Sequence, residues 1–382
     1  MQTSAAKAAT SGAETVKFTI ERAHLLKALA HVQSIVERRG TIPVLSNVKL
    51  EARGGQLSLA ATDMDIELVE KVSADISEEG AITIPAHTLY DIIRKVPEGA
   101  QVEVNAGSGG RVSIRAGSSR FTLASLPVED FPVMAEGELP HSFTLKAAEF
   151  TALIEKPAYA MSTEETRYYL NGIYLHVAGE ALRAVATDGH RLARVEVGVP
   201  AGAAGMPGII VPRKAIQEVR KLIDGGEGDV HIALSDNKIR VTYGDAVLVS
   251  KLIDGAFPDY ERVIPSANEK MLELDRKAFV QAVDRVSVIA SERTRGIRLA
   301  IEKGKVTLSA SSAEAGSASE EVEATYGADP IEIGFNARYV LDMMERIEGD
   351  TAQFLLHDGS SPVLVRDPAD VGALYVIMPM RV

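Results

Sequence analysis

The sequence predicts an α+β protein made of three repeated domains, each with two helices packed on antiparallel sheet. Three observations lead to this prediction. The chain has 382 residues, enough for two to four domains. Related segments recur about 125 residues apart, and helix and strand periodicities follow the same order in each copy. Solenoid repeats span only roughly 20–50 residues, so each copy is expected to be a domain in its own right.

Four pairs of segments relate the first two copies. They are Phe18–Ile20 with Phe143–Leu145, Leu59–Asp63 with Ala184–Asp188, Ile84–Ala86 with Val211–Arg213, and Phe131–Pro132 with Phe257–Pro258. A third, more diverged copy begins near Met271 and continues through Val306–Ala310 and Ile333–Asn336. We therefore predict domains over 16–136, 137–265 and 266–382. Residues 1–15 are rich in Ala, Ser and Thr and are expected to form a disordered extension.

Each copy begins with a short alternating strand that leads into an amphipathic helix. In the first copy this helix is predicted over Arg22–Arg39, with Leu25, Leu29 and Val32 on one face. A hairpin follows over residues 48–61, and the Gly54-Gly55 pair is typical of its turn. These segments place a helix against antiparallel strands.

A second helix follows in each copy. It is predicted over His87–Val96, Arg213–Ile223 and Ala337–Ile347. Pro85 and Pro212 suit a helix start, and Asn336 suits an N-cap. More alternating strands, such as residues 101–104 and 111–114, complete the copy.

The composition excludes several classes of site. The chain has no cysteine, so disulfides, zinc–cysteine sites and thiol nucleophiles are absent. His24 and His31 lie seven apart without acids at ligand spacing, so neither a metal site nor a cofactor is predicted. No apolar run approaches the roughly 20 residues of a membrane helix, and the first residues do not form a secretory signal. We expect a cytoplasmic protein.

An enzyme is the main alternative from the residues alone. Asp188 and His190 could form an acid–histidine pair of a hydrolase, with Ser235 or Ser250 as nucleophile. The Gly-x-Ser-x-Gly motif of many hydrolases is absent. Neighbours two apart in a strand or turn also rarely hydrogen-bond as a triad requires. A phosphate-binding Gly-x4-Gly-Lys-Ser/Thr motif is absent as well, so no ATP-driven activity is predicted.

Four motifs resemble the bacterial sliding clamp family, the β subunit of DNA polymerase III. They are Arg167–Gly172, Thr187–Leu192, Phe257–Tyr260 and Tyr375–Val382. The resemblance covers about residues 16–382. It implies a non-catalytic processivity factor in which a head-to-tail homodimer forms a six-domain ring, with helices around duplex DNA. It also implies a separate clamp loader, and partners that bind through short linear motifs: the polymerase III α subunit, other polymerases and repair proteins.

The charge distribution supports a basic channel within an acidic protein. The formal net charge is −12. Six predicted helix windows (22–39, 86–96, 146–156, 212–223, 275–290 and 336–347) carry 17 basic and 9 acidic residues, a net charge of +8. The rest of the chain carries −20. Such a split favours sequence-independent phosphate contact, although solvated helix surfaces also favour Lys and Arg. A structural repeat protein without a DNA role would not explain it.

By resemblance, the DNA-contacting residues include Arg39, Tyr169, Arg213 and Lys214. Arg213 and Lys214 open a helix, where cations oppose the helix dipole, which suggests a use for their charge. The alternative is an ordinary solvated helix start. The family often has a neutral amide just before the Arg-Tyr-Tyr-Leu motif, whereas this chain has Glu164 and Glu165 in that stretch. Two acids there would repel phosphate.

The resemblance also implies a peptide-binding pocket between copies 2 and 3. Its residues would be Leu170, Thr187, Gly189, His190, Arg191, Leu192, Pro258, Arg262, Val263, Val376, Met378, Pro379, Met380 and Arg381. Methionines suit a groove that accepts varied side chains. The alternative is a final strand docked only in its own domain. Copy 1 keeps Thr62-Asp63 but continues with Met64, so the Gly-His-Arg sequence is specific to copy 2.

The family's dimer interface corresponds to two short segments at opposite ends of the chain. Phe121 and Leu123 of copy 1 would meet Val288 and Ile289 of copy 3. Basic residues of copy 1 would face the acids between 314 and 323. The alternative is that Phe121 and Leu123 are ordinary core residues of a strand.

Overall fold

The computed structural model describes residues 15–382, except residues 39, 108, 136, 292 and 294. Most of the expected N-terminal extension, and Arg39, therefore lie outside the described residues. Copy 1 contains β1 (Val16–Glu21), α1 (Arg22–Val32), β2 (Asn47–Arg53), β3 (Gln56–Thr62), β4 (Ile66–Ser73), β5 (Asp75–Glu78), β6 (Gly80–Pro85), α2 (Ala86–Lys95), β7 (Gln101–Gly107), β8 (Arg111–Ala116) and β9 (Ser119–Ala124).

The other two copies repeat this order. Copy 2 contains β10 (His141–Lys146), α3 (Ala147–Ala158), β11 (Gly172–Ala178), β12 (Ala181–Thr187), β13 (Arg191–Gly198), β14 (Ile209–Pro212), α4 (Arg213–Ile223), β15 (Asp229–Leu234), β16 (Lys238–Tyr243) and β17 (Ala246–Lys251). Copy 3 contains β18 (Lys270–Asp275), α5 (Arg276–Ser287), β19 (Gly296–Glu302), β20 (Lys305–Ser312), β21 (Gly316–Thr325), β22 (Ile331–Asn336), α6 (Ala337–Met344), β23 (Thr351–Leu356), β24 (Val363–Asp367) and β25 (Asp370–Ile377). The predicted fold class of three α+β copies is confirmed.

Two sheets run through the joints between copies. The last strand of copy 2, β17, pairs antiparallel with β4 of copy 1, and Leu248 lies opposite Leu68. The last strand of copy 3, β25, pairs with β13 of copy 2 in the equivalent register, and Tyr375 lies opposite Ala193. These pairings extend the sheets to eight and twelve strands. Backbone hydrogen bonds thus set the position of each copy on the next.

The helices share one side of these sheets. Alternation along the strands sends apolar side chains toward the helices, as in β1, where Val16, Phe18 and Ile20 are buried. Leu25 and Leu29 of α1 are buried against them and form part of a core that extends through all three copies. The opposite faces of the sheets point away from the helices, and one of them carries a second apolar cluster beside the joint of copies 2 and 3.

The helix bounds differ from prediction mainly in α1. The predicted helix over Arg22–Arg39 is wrong at its end, because α1 stops at Val32. The Ser34 hydroxyl bonds both the carbonyl of His31 and the Glu218 carboxylate of α4, and such side-chain bonds compete with helix continuation. The predicted bounds of α4 are confirmed. Asn336 caps α6 by accepting from the backbone N–H groups of Arg338 and Tyr339.

The tenth position of the first helix holds a basic residue in every copy. His31 lies 2.7 Å from Glu70, and Arg285 donates to Glu320, both within one copy. Lys156 instead reaches across the joint to Asp370 and Glu348 of copy 3, at 2.5 and 2.9 Å. Lys156 is largely buried, and these carboxylates hold its pKa above the usual value although burial lowers it.

We predict that Lys156→Met weakens the joint between copies 2 and 3. The change leaves Asp370 partly buried without its cation, so the free energy of unfolding should fall by about 1–3 kcal/mol. Urea denaturation followed by tyrosine fluorescence measures this loss. Lys146→Met removes an exposed ion pair with Asp229 and is the matched control, expected to change little. Equal stability of Lys156→Met and wild type would contradict the prediction.

Candidate functional site

The hairpin between β12 and β13 presents the Thr-Asp-Gly-His-Arg motif. The Thr187 hydroxyl donates to the carbonyl of Arg191 at 2.8 Å and accepts from the amide of Gly189. The first Asp188 carboxylate oxygen accepts from the amides of His190 and Arg191. Gly189 has φ 89°, and a Cβ there would lie 2.7 Å from the guanidinium of Arg167. Glycine therefore permits both the turn and this close approach.

Copy 1 builds the same turn without the glycine. Thr62 and Asp63 make the matching hydrogen bonds, and Met64 takes the positive φ. The second Asp63 oxygen accepts from Lys214 of copy 2, whereas that of Asp188 accepts from Arg191. The Thr-Asp pair is thus a structural element of the repeat. The residues after it differ between the two turns.

Arg191 crosses the joint rather than facing solvent. Its guanidinium donates to Asp342 of α6 at 2.6 Å and lies 4.3 Å from the ring centre of Tyr339. Tyr159 of copy 2 lies on the same guanidinium at 5.2 Å. Burial lowers the pKa of Arg191, but the bonds to Asp342 and Asp188 outweigh it and raise that pKa. Arg191 therefore stabilises the joint, and its neighbour His190 stays exposed beside Tyr339.

The C-terminal residues complete the same region. After β25, the amide of Met378 donates to the carbonyl of His190 in copy 2, at 2.9 Å. The amide of Met380 donates to Gly334 of β22 in copy 3, also at 2.9 Å. The final strand therefore belongs both to its own domain and to the joint. Met378 is 40 % exposed, which leaves an apolar side chain at the surface.

An apolar cluster lies beneath these segments on the outer face of the sheet. It combines strands of copies 2 and 3 with Tyr260 of the linker between them: Val185, Leu192, Leu364, Leu374 and Val376 are its other buried members. Phe257 packs against it and stacks on Tyr174 at 4.8 Å between ring centres. Tyr260 also bonds His176 through its hydroxyl. The linker thus covers the sheet where the two copies meet.

The structure brings most of the expected pocket residues to this joint, some of them buried and the others at the surface. Leu192 and Val376 are buried in the apolar cluster, and Leu170 is also buried. Gly189, His190, Pro258, Arg262, Val263, Met378 and Arg381 are exposed, whereas Thr187, Pro379 and Met380 are half-buried. Sequence reasoning missed Phe257, Tyr260 and Leu364. The Phe-Pro-Asp-Tyr motif held the signal for the first two, although only Pro258 was taken from it.

The hydrolase alternative lacks its geometry. Both Asp188 oxygens are bonded to backbone amides and to Arg191, and the His190 ring lies 6.1 Å from that of Tyr339. Ser250 is fully buried and donates to the carbonyl of Lys251. Ser235 bonds within its own turn. Nothing in this arrangement orients a nucleophile toward a base.

Of the residues expected to contact DNA, the three that the structure describes lie near the joint of copies 1 and 2 and in the Arg-Tyr-Tyr-Leu segment. Arg213 donates to the carbonyls of Met161 and Ser162, and burial lowers its pKa. Lys214 donates to Asp63 at 2.5 Å and to the carbonyl of Ile35. Tyr169 is half-buried, with its ring 5.8 Å from that of exposed Tyr168. Arg213 and Lys214 are therefore partly engaged in structural contacts.

The acidic stretch before this motif is partly neutralised. Arg167 makes two hydrogen bonds to Glu164, at 2.9 and 2.7 Å. This guanidinium holds the pKa of Glu164 below its usual value, so the carboxylate of Glu164 is paired with a cation. Other helix cations are exposed, including Lys27, Lys221 and Lys277. Among the residues that the structure describes, no helix is long and apolar enough to cross a membrane.

Comparison with protein families finds three consecutive matches. Residues 16–135 match the DNA polymerase III beta subunit, N-terminal domain, residues 144–259 its central domain, and residues 261–381 its C-terminal domain. The beta sliding clamp of Caulobacter vibrioides is 53 % identical over 372 residues, covering 96 % of this chain and all of that protein. That of Escherichia coli is 40 % identical over 369 residues, with the same coverage.

Solved structures agree with these matches. A Caulobacter crescentus beta sliding clamp, with polyethylene glycol bound to its putative beta-motif tethering region, has a TM-score of 0.94 and 52 % identity. A Bartonella birtlesii sliding clamp bound to griselimycin has a TM-score of 0.94 and 45 % identity. In both cases the alignment covers 97 % of this chain and 100 % of the other. The chain therefore belongs to the DNA polymerase III beta subunit family, the bacterial beta sliding clamps.

Proposed function

We propose that two copies of this chain close head to tail into a ring that encircles duplex DNA and holds the replicative polymerase on it. The repeated sheet joint is the observation that supports this proposal most. Copies 1, 2 and 3 meet twice through the same pairing, in which the last strand of one copy pairs with an edge strand of the preceding copy. One further joint of this kind on each side would link two chains into six domains.

The outer edges of copies 1 and 3 carry apolar and oppositely charged residues that suit such a joint. Within the described residues, β9 pairs only with β8. In copy 3, β21 corresponds to β4 and β13; its residues 316–323 pair only with β20, because β18 pairs only with its last two residues. Phe121 and Leu123 of β9 are half-buried. Val288 follows α5 beside the other edge and is 78 % exposed. Arginines of β8 and β9 would face the acids of β21, giving the joint an apolar centre with opposite charges around it.

We predict that replacing both Val288 and Ile289 with Ala gives a folded monomer. The change removes apolar contact area from the proposed dimer joint. Ile289 also packs partly against the core of copy 3, so the melting temperature of the variant is measured alongside. Sedimentation velocity measures the change in mass. Val371→Ala, at a site near the start of β25 that is 97 % exposed, is the matched control and should remain a dimer. An unchanged dimer in the double variant would contradict the assignment.

The proposed grip on DNA is topological, with weak contacts inside the ring. We assign Arg39, Tyr169, Arg213 and Lys214 to these contacts, together with exposed helix cations. Cations without base-reading groups bind phosphates and allow sliding. The acidic remainder of the chain repels DNA from the outside. The hydrogen bonds of Arg213 and Lys214 to neighbouring segments would orient these side chains.

We predict that protein loaded on nicked circular DNA resists salt, whereas binding of free protein to a short duplex is weak. The Debye length falls to about 3 Å at 1 M salt, which screens phosphate contacts but leaves the ring closed. Retention after gel filtration measures the difference, and cutting the circle should release the protein. Equal rates of loss from intact circles and linear DNA would contradict a closed ring.

In the same assay, replacing the cations distinguishes phosphate contacts from retention by a closed ring. Replacing Arg39, Arg213 and Lys214 with Ala should reduce loading and short-duplex affinity, but hardly alter retention on circles already loaded. Because Arg213 and Lys214 also bond the protein, the melting temperature of the variant is measured alongside. Faster loss of this variant from loaded circles, with unchanged melting, would contradict a purely topological grip.

Partners are proposed to bind the pocket between copies 2 and 3 through short linear motifs. The exposed apolar rim of Val263 and Met378 above a buried apolar floor suits leucine and phenylalanine anchors. Each anchor would contribute about 1.5–3 kcal/mol on burial, partly offset by ordering of the peptide. We assign the polymerase III α subunit, other polymerases, repair proteins and a clamp loader to this site. The polyethylene glycol bound in the Caulobacter clamp's tethering region supports an apolar groove.

We predict that deleting Met378–Val382 abolishes binding of a Gln-Leu-x-Leu-Phe peptide. The deletion removes the rim and the Met378 hydrogen bond to His190. Calorimetry measures the affinity, and sedimentation tests whether the dimer persists. Because Val382 lies close to Gly334 in copy 3, the deletion also removes packing. Val263→Asp, which leaves the chain intact, should therefore weaken binding as well. Wild-type affinity in both variants would refute the pocket's location.

The domain bounds and the location of the protein complete the proposal. We propose domains over 16–136, 137–265 and 266–382, which place both cross-copy strand pairs between different domains. Residues 1–15 remain a proposed extension. A clamp that serves replication acts where bacterial DNA is copied, so we propose the cytoplasm as its location.

A further inference from the structure

The outer face of the first joint repeats the geometry of the proposed pocket. At the joint of copies 2 and 3, strand pairing aligns Leu364 of β24, Val376 of β25 and Leu192 of β13 in one row. All three are buried beneath the linker residues Phe257 and Tyr260. This row forms the centre of the apolar cluster under the pocket.

The corresponding row at the joint of copies 1 and 2 keeps only its central apolar residue. Pairing aligns Arg240 of β16, Val249 of β17 and Glu67 of β4. Arg240 is exposed and Val249 is half-buried. A side chain that is apolar in one joint is therefore a cation in the other, at the same place in the sheet.

A cavity lies over this row. It measures about 320 Å³ and is lined by Val69, Val247, Val249, Met134, Leu139 and Arg240, among others. Met134 and Leu139 belong to the linker between copies 1 and 2. They lie beside this row, as Phe257 and Tyr260 lie beside the row at the second joint. A second cavity of about 420 Å³ over β10, β15 and β16 shares Arg240 and Thr242 with the first. These two adjacent cavities make up the groove over β16 and its neighbouring strands.

We propose that this groove binds an extended peptide that carries a carboxylate beside an aliphatic side chain. The aliphatic group would occupy the space between Val247, Val249 and Met134, and the carboxylate would accept from Arg240. Glu67 accepts from the amide of Met134 at 3.3 Å and lies two strands from Arg240, roughly 10 Å away. It repels a carboxylate, so the charges of the row orient the peptide with its acid toward β16.

This groove and the pocket between copies 2 and 3 differ in the charge of the ligand that they favour. The row at the second joint is entirely apolar and takes anchors without regard to a neighbouring acid. The row at the first joint rewards an acid next to the anchor, because a carboxylate–guanidinium pair is a charge-assisted hydrogen bond. The ring would then offer each partner two chemically distinct sites per chain. This inference rests on the proposed pocket between copies 2 and 3, so binding at both sites is measured together.

The test is calorimetric titration of the full chain with two acetylated peptides, Leu-Asp-Leu-Phe and Leu-Asn-Leu-Phe. We expect two sites per chain for the aspartate peptide, the weaker of which loses about tenfold in affinity with the asparagine peptide. Arg240→Ala should cause the same loss, and Arg240→Glu should shift the preference to Leu-Lys-Leu-Phe. Arg53→Ala, an exposed arginine of the same sheet, is the matched control.

The outcomes distinguish this inference from the function on which it builds. Deleting Met378–Val382 should remove the stronger site and leave the weaker one. A single site per chain that disappears with this deletion would overturn the proposed groove between copies 1 and 2 but support the pocket between copies 2 and 3. A second site indifferent to both Arg240 variants would also overturn the proposal. Binding at neither site would overturn both.

Discussion

Antiparallel pairing between the edges of neighbouring domains is the constraint on which the rest of this structure depends. An edge strand presents unpaired N–H and C=O groups that must find partners or water. Here β17 and β25 each pair with the edge strand of the preceding copy, β4 and β13 respectively. Because register in a sheet fixes which side chains face each side, the same pairing also fixes the helices on one side and the grooves on the other.

Ion pairs adapt the repeated joint to each position. The first helix of every copy has a basic residue at its tenth position, but His31 and Arg285 remain within their own copies whereas Lys156 reaches Asp370 of the next. At the first joint, Lys214 and Glu218 make the contacts across copies instead. One backbone arrangement is thus stabilised by different side-chain contacts. Each contact is local to its joint, so substitutions at one joint need not disturb the other.

The proposed peptide pocket is also built on a structural element that the copies share. The Thr-Asp turn is common to copies 1 and 2, and its hydrogen bonds hold the backbone of the β12–β13 hairpin. Arg191 then crosses to copy 3, which leaves His190 and Met378 at the surface above buried apolar residues. In the proposed pocket, the exposed groups would contact a partner while the buried ones hold the joint. Affinity and rigidity would then depend on different residues of the same region.

Local patterns in the sequence determined the repeat, the helix and strand order, the bounds of α4 and the Asn336 cap, because each depends on residues within a few positions of one another. The segregation of charge onto the helix windows was equally visible. The tertiary structure alone decided the early end of α1, since Ser34 bonds Glu218 from another copy. It also decided that Arg191 points into the joint, and that Phe257 and Tyr260 cover the apolar cluster. These outcomes depend on side chains brought together from distant parts of the chain, and no local periodicity specifies such contacts.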